Sequence, residues 1–78
     1  MEGNYYIAIN AQIARKTVYV ENVTIDEAVS MAITLFDKFS THIFDNVIIY
    51  RKVSDPVRAV PVRLFELREG NKIHVEAY

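Results

Sequence analysis

The chain contains no cysteine and no tryptophan, and only two glycines and two prolines occur among its 78 residues. Without cysteine it can form neither a disulfide nor a thiolate metal site, and it has no cysteine nucleophile. A chain this short must then be stabilised by its hydrophobic core alone. Scarce glycine and proline, together with a hydrophobic fraction of 51%, exclude a disordered or low-complexity chain. We therefore expect residues 1–78 to form a single folded domain.

Long apolar runs are also missing. No stretch approaches the roughly 20 residues that a membrane-spanning helix needs. Residues 1–4 lack the basic start and the apolar stretch of a signal peptide. We therefore expect a cytoplasmic protein that neither spans a membrane nor is exported.

Residues with β-branched side chains are abundant: ten valines, nine isoleucines and four threonines make up nearly a third of the chain, which favours strands. The exception is the segment 24–39, where apolar residues recur at helical spacing. They are Ile25, Ala28, Val29, Ala32, Ile33, Phe36 and Phe39. Thr24 and Glu27 have the spacing of a capping box, and Asp26 suits the positive end of a helix dipole. The sequence therefore predicts one helix here.

This helix has more apolar surface than one sheet face requires. At about 100° per residue its apolar arc covers roughly 200°, because Met31 and Leu35 widen it. Either a strongly curved sheet wraps the helix and covers both side chains, or they contact another protein. On the second interpretation Met31 and Leu35 form a self-association site, and the chain is a homodimer.

Residues 4–13 alternate between two faces, as a half-buried strand does. Five residues share the face that we expect to be buried: Tyr5, Ile7, Ile9, Ala11 and Ile13. The next apolar positions, Val18 and Val20, are even-numbered, so the alternation must switch between the two segments. Two interpretations of residues 4–22 stay open: a hairpin that turns at 14–16, or one long strand bent at a bulge.

Residues 47–50 are apolar on both faces, which predicts a central strand. The sequence Ser-Asp-Pro at 54–56 signals a turn. Pro61 cannot donate a hydrogen bond to a sheet, so it marks an edge or a bulge. We therefore expect residues 53–62 to be irregular.

The last hairpin can be predicted from its register. A two-residue turn would place charged residues opposite core positions. A three-residue loop, 69–71, instead pairs Leu67 with Ile73, and it needs a left-handed conformation near Asn71. The alternation of faces then requires a second break near Arg63, which implies a bulge.

The predicted fold class is α+β, with a single helix packed on a mainly antiparallel sheet of four to five strands. The element order is strand, strand, helix, strand, strand, strand. This order resembles the β-grasp arrangement of ubiquitin-like domains, so we expect a β-grasp-like roll. The sequence ends in Glu76, Ala77 and Tyr78 where a conjugated modifier has paired glycines. The resemblance therefore implies an architecture and no function.

Motifs that carry catalysis or bind metal are missing from the sequence: it has no Gly-rich phosphate loop, no GxSxG, no HExxH and no cysteine pair. We interpret His42 and His74 as surface residues. Asp37, Asp45 and Asp55 are explained by a helix's polar face, a loop and a turn, rather than by a cation site. We therefore predict no catalytic residue, no metal ion and no cofactor.

Charge is unevenly distributed, although the whole chain has a net charge of −1. Residues 1–50 carry three basic and six acidic groups, a net −3, whereas residues 51–78 carry six basic and four acidic groups, a net +2. Cations beside tyrosines suit single-stranded nucleic acid. As an alternative function we therefore consider nucleic-acid binding through Arg51, Lys52, Arg63, Arg68, Tyr19 and Tyr50. A pI near 6.1 argues against it.

Protein binding is the preferred hypothesis. An extended apolar segment after residue 56 is flanked by arginines and contains a proline, and arginine often anchors interfaces. We assign the partner-binding site to Val57, Arg58, Val60, Pro61 and Arg63. We expect a small non-catalytic regulator, adaptor or inhibitor that sterically occupies another protein. Its size and build match phage- or plasmid-encoded proteins that block a host enzyme.

Overall fold

The computed structural model describes residues 2–39, 45–54, 57–68 and 72–77. Within these ranges five strands and one helix follow each other in the predicted order. They are β1 (Glu2–Asn10), β2 (Arg15–Thr24), α1 (Ile25–Phe39), β3 (Asn46–Ser54), β4 (Val57–Arg68) and β5 (Lys72–Ala77). Neighbouring strands all pair antiparallel, in the order β2-β1-β3-β4-β5. The predicted α+β class is confirmed, and β3 lies at the centre of the sheet, as predicted.

The helix α1 begins at the predicted capping box. The N–H of Glu27 donates to Thr24 Oγ1 at 3.1 Å, and the N–H of Thr24 donates to Glu27 Oε1 at the same distance. Both bonds satisfy amides that an unprotected helix start would leave without partners. The helix therefore follows β2 without an intervening loop.

One face of the sheet and one face of α1 enclose the hydrophobic core. Ala28 and Ala32 are fully buried, and their small side chains let the helix lie close to the strands. Phe36, one turn further along, faces Phe65 on β4 with ring centroids 6.5 Å apart. The sheet contributes alternate residues of its central strands: Tyr5, Ile7, Ile9, Val47 and Ile49.

The strands β1 and β2 form a hairpin, which settles the two interpretations of residues 4–22. The turn lies earlier than predicted. The N–H of Ala11 donates to the carbonyl oxygen of Ala14 at 2.9 Å, and the reverse bond is 3.3 Å long. Ile13 stands at the tip between them and is 62% exposed. Its assignment to the buried face is wrong, because the turn takes it out of the strand's alternation.

Near its end β2 contains a bulge that the sequence analysis did not predict. The register with β1 shifts by one residue there. Asn22 has a φ of 56°, a left-handed conformation that asparagine tolerates well, and its N–H donates to Asn4 Oδ1 at 3.0 Å. The extra residue lets both Val20 and Val23 pack against the core, although they are three positions apart.

The strands β3 and β4 form a long hairpin. Their ladder extends through 53 and 54 of β3 and 57 to 61 of β4, so within the described part of 53–62 the predicted irregularity is limited to one bulge at Val62. A single bulge accommodates the proline. The register shifts between Pro61 and Arg63, with Val62 as the extra residue, which confirms the bulge predicted near Arg63. The turn residues 55–56 lie outside the described residues.

The predicted register of the last hairpin is confirmed. Leu67 pairs with Ile73 and Phe65 with Val75, as a three-residue loop requires. The loop residues 69–71, including the left-handed conformation expected at Asn71, lie outside the described residues.

The contribution of the capping box to the stability of the fold can be tested by substitution. We expect Thr24→Ala to lower the free energy of unfolding by about 1 kcal/mol, because the amide of Glu27 loses its acceptor. Urea denaturation followed by circular dichroism measures the change. Thr34→Ala is the matched control: Thr34 Oγ1 only donates to the Ser30 carbonyl within the exposed helix surface, so its loss should be nearly neutral. Equal destabilisation by both substitutions would contradict the capping role.

Candidate interaction surface

The sheet face turned away from α1 is covered by no element in the described ranges, and its centre is apolar. We call this surface the open face. Its residues alternate along the strands with the buried ones, and none of them is buried in the single chain. They form three cross-strand rows: Tyr19-Tyr6-Tyr50-Pro61, Thr17-Ala8-Ile48-Leu64, and a polar third row at one rim, Arg15-Asn10-Asn46-Glu66.

The first row places three tyrosines side by side on three adjacent strands. Tyr6 pairs with Tyr19 on one side and with Tyr50 on the other. The rings of Tyr6 and Tyr19 are 4.9 Å apart at their centroids and inclined by 33°. Such cross-strand aromatic pairs stabilise the sheet and at the same time present broad ring surfaces to a partner.

The surface is recessed at one end of the second row, because Ala8 and Thr17 have short side chains. A groove of about 340 Å³ opens there between the tyrosines. Its lining consists of Tyr6, Ala8, Thr17, Tyr50, Arg58 and Ala59. The open face therefore has a hollow at Ala8 and Thr17, and Ile48 and Leu64 occupy the same row further across the sheet.

One cation lies against the tyrosine row. Lys52 Nζ is 3.4 Å from the Tyr19 hydroxyl oxygen and 5.2 Å from the centroid of that ring. The hydrogen bond to Tyr19 raises the pKa of Lys52 above its usual 10.5, and electrostatic attraction to Tyr19, Tyr6 and Glu21 acts in the same direction. Lys52 therefore stays protonated throughout the neutral range and holds its ammonium group over β2.

A second surface is the outer edge of β4. The described residues of β5 pair with residues 63–68 of β4. Residues 57–61 pair with β3 on one side, Val62 is the bulge, and no described strand pairs with residues 57–62 on the other side. Arg58, Ala59 and Val60 are exposed, Val60 by 39%. We call residues 57–62 the free edge of β4.

The residues assigned to a protein partner are partly brought together by this edge. Arg58, Val60 and Pro61 lie along it. Arg63 is half-buried, and its guanidinium donates to the Val62 carbonyl oxygen at 2.8 Å, so it supports the bulge. Val57 pairs with β3 through its backbone, while its side chain lies outside the described part of the structure.

The residues assigned to nucleic acid are divided between the two faces. Lys52, Tyr19 and Tyr50 share the open face. Arg51 instead lies on the helix side, with its guanidinium 5.8 Å from the centroid of the Tyr5 ring. Arg68 pairs with β5 through its backbone, and its side chain lies outside the described part.

The residues assigned to self-association lie on α1 beside a second groove. Met31 is 40% exposed, and Leu35 is half-buried against the core. The groove has a volume of about 300 Å³ and is lined by Ile7, Val18, Met31, Thr34 and Leu35. The sheet therefore does not wrap the helix closely enough to cover Met31.

Groups suited to metal binding do not come together in the described ranges. No cluster of three or more histidine, aspartate or glutamate side chains there could hold a metal ion. Asp45 is buried and accepts the N–H of Gln12 at 3.1 Å, which ties the start of β3 to the β1–β2 turn. His42 and the side chain of His74 lie outside the described part. No described helix is long and apolar enough to cross a membrane.

Comparison with known proteins identifies no relative: no family model, no curated protein and no solved structure matches the chain. The sequence analysis grouped Tyr19 and Tyr50 on one surface for the alternative function, but it did not predict that Ala8, Ile48 and Leu64 join them in one apolar surface. The signal that could have revealed it is the apolar run 47–50, which has Ile48 and Tyr50 on the side away from the core.

The contact between Lys52 and Tyr19 predicts a measurable titration. In the wild-type chain we expect the Lys52 pKa, measured by NMR of its side-chain amine, to lie above 10.5. Tyr19→Phe should lower it, because the hydrogen-bonding hydroxyl is lost. Because the pKa of Lys52 is raised in the folded state, the contact with Tyr19 stabilises the fold fully at a pH below the unfolded-state pKa. This stabilisation is lost as the pH rises through the raised folded-state pKa. Tyr50→Phe is the control, since it leaves the Lys52 contact intact; an equal shift in both variants would refute the assignment.

Proposed function

We propose that this chain is a non-catalytic, cytoplasmic protein-binding module that acts as a regulator, adaptor or inhibitor by occupying a surface of another protein. The free edge of β4 is the proposed binding site. The partner contributes an extended segment that pairs with residues 57–62 and continues the sheet.

One observation supports this proposal above the others: β4 is twelve residues long, whereas β5 pairs with only its second half. Among the residues that the structure describes, the first half is thus paired on one side and open on the other. Backbone N–H and C=O groups at such an edge are ready to pair with another chain, and proteins usually protect such edges. An edge left open beside exposed Arg58 and Val60 is suited to a partner strand.

The side chains along the free edge suggest which segments fit. Val60 offers an apolar contact, and Arg58 offers a guanidinium that pairs with carboxylates in two-point geometry. Pro61 donates no backbone hydrogen bond, so it limits the pairing to one register. An extended apolar segment that carries an acidic residue is the partner chemistry that matches.

Two substitutions at the free edge test the proposal. The full chain, carrying an affinity tag, is used to capture its partner from an extract of the source cells, and the affinity is then measured with the purified partner. We expect Arg58→Glu and Val60→Ser each to weaken binding at least tenfold, because a cation–carboxylate contact or an apolar contact at the core of the interface is lost.

Each variant has a matched control. Lys38→Glu makes the same charge change on the exposed side of α1, and Ile13→Ser removes an aliphatic side chain that is more exposed than Val60, at the β1–β2 turn. Both controls should bind as the wild type does. Unchanged binding by folded Arg58→Glu and Val60→Ser would exclude the free edge as the site, and failure of the wild type to capture any protein would count against the function.

A second candidate function is the binding of single-stranded nucleic acid on the open face. The observation that favours it is the row of Tyr19, Tyr6 and Tyr50 with Lys52 beside it, since bases stack on aromatic rings next to cations. The separation of Arg51 from this row weakens it, because fewer cations are left to contact phosphates.

Salt dependence tests this second candidate. If it is correct, fluorescence anisotropy with a labelled single-stranded oligonucleotide should show an affinity that drops at least tenfold between about 50 and 200 mM salt, because phosphate contacts release counterions. Lys52→Ala should reduce the slope, whereas Lys38→Ala on α1 should not. Absence of binding at the lower salt concentration would eliminate the candidate.

A further inference from the structure

We propose that two copies of this chain pack their open faces against each other, related by a two-fold axis that runs parallel to β3. The proposal goes beyond the binding function proposed above, which uses the free edge of β4. A second copy of the chain matches the open face in area, symmetry, shape and charge.

The centre of the open face has the composition of a sheet face that packs against another element. An antiparallel sheet with one face in water normally alternates apolar with polar residues. Here β3 does not alternate: Val47 and Ile49 are buried beneath α1, while Ile48 and Tyr50 lie on the open face. A strand that is apolar on both sides is typical of a sheet packed on both faces.

The area is sufficient for a specific dimer. Five strands about 4.8 Å apart, carrying side-chain rows about 7 Å apart, give a face of roughly 20 by 24 Å, or about 500 Å² per copy. Two such faces remove on the order of 1,000 Å² from solvent, which is the lower limit for a specific interface, and the relief of the side chains adds to it.

The strand order makes the face suitable for two-fold symmetry. Because β3 is the third of five strands, an axis along it places β3 over β3, β1 over β4, and β2 over β5 of the second copy. Sheets packed face to face keep their strands within about 30° of each other, which this arrangement allows. Ile48 and Tyr50 then lie at the axis and meet their own symmetry mates.

Shape complementarity follows from the same axis. Ala8 and Leu64 belong to the same row and lie on the two strands that flank β3. Rotation about the axis therefore places Leu64 of the second copy opposite Ala8. Leu64 of the second copy therefore lies over the hollow at Ala8 and Thr17, and the reverse contact forms at the same time. A large side chain thus meets small ones twice in one interface, as close packing requires.

Charges at the rim are also complementary. Arg15 on β2 lies at one end of the polar third row, and Glu76 on β5 extends the second row beyond Leu64 at the opposite side of the sheet. Both residues are exposed. Because the axis brings β2 over β5, each Arg15 approaches Glu76 of the second copy. Lys52 is on β3, but its ammonium group is held over Tyr19 on β2, so the two lysines point away from the axis in opposite directions.

Molecular mass in solution tests the proposal. By sedimentation equilibrium, we expect the wild-type chain to have about twice its 9.0 kDa mass at micromolar concentrations. Ile48→Lys places two like charges at the axis, so it should give a folded monomer with a dissociation constant raised at least a hundredfold. Met31→Lys on α1 should remain dimeric, since Met31 lies outside the open face.

Crosslinking tests the position of the axis even where a lysine variant fails to fold. The chain has no cysteine, so a single introduced one is unique. Sheets in face-to-face contact lie about 10 Å apart, and a bismaleimide of that span should therefore join Ile48→Cys chains into covalent dimers. Met31→Cys should not crosslink. A monomeric wild type, a dimeric Ile48→Lys variant, or faster crosslinking of Met31→Cys would each overturn the proposal.

Discussion

A five-stranded sheet has two faces, and α1 covers one of them. Ala28 and Ala32 bring the helix close to the strands, so that Phe36 and the alternate residues of the central strands complete a tightly packed core. The same alternation places the remaining residues of β1 and β3 on the open face. Because the residues at the centre of that face are tyrosine, isoleucine and alanine, the single helix leaves an apolar surface that no other element in the described ranges covers. The open face follows from this limited coverage.

The two bulges determine where the chain remains available for contacts. At Asn22 the extra residue keeps the end of β2 against the core, so that the strand leads directly into the capping box of α1. At Val62 the extra residue reverses the alternation of β4 and lets its first half, with Pro61, continue the ladder with β3. Since β5 pairs only with the second half, the long hairpin extends beyond it and creates the free edge.

Features encoded by residues close in sequence were predictable, and those that depend on distant strands were not. The capping box at Thr24, the register of Leu67 with Ile73 and the bulge near Arg63 follow from local spacing, and all three are confirmed. Ile13 was misplaced because no glycine or proline marks the β1–β2 turn. The composition of the rows on the open face was not predicted, because β1 and β3 join residues that lie far apart in the sequence, and their pairing cannot be inferred from either segment alone.

Charge distinguishes the two uses proposed for the open face. Nucleic acid requires an excess of cations along its path, because phosphate contacts supply most of the affinity. The open face carries Arg15 and Lys52, but Glu21 acts electrostatically on Lys52, and Glu76 lies at the opposite rim. A surface with equal positive and negative charge gives a polyanion no net attraction. A two-fold axis, in contrast, brings Arg15 of each copy towards Glu76 of the other. The tyrosine row is therefore better suited to a second copy of the chain, which leaves the free edge of β4 on each copy open to a partner strand.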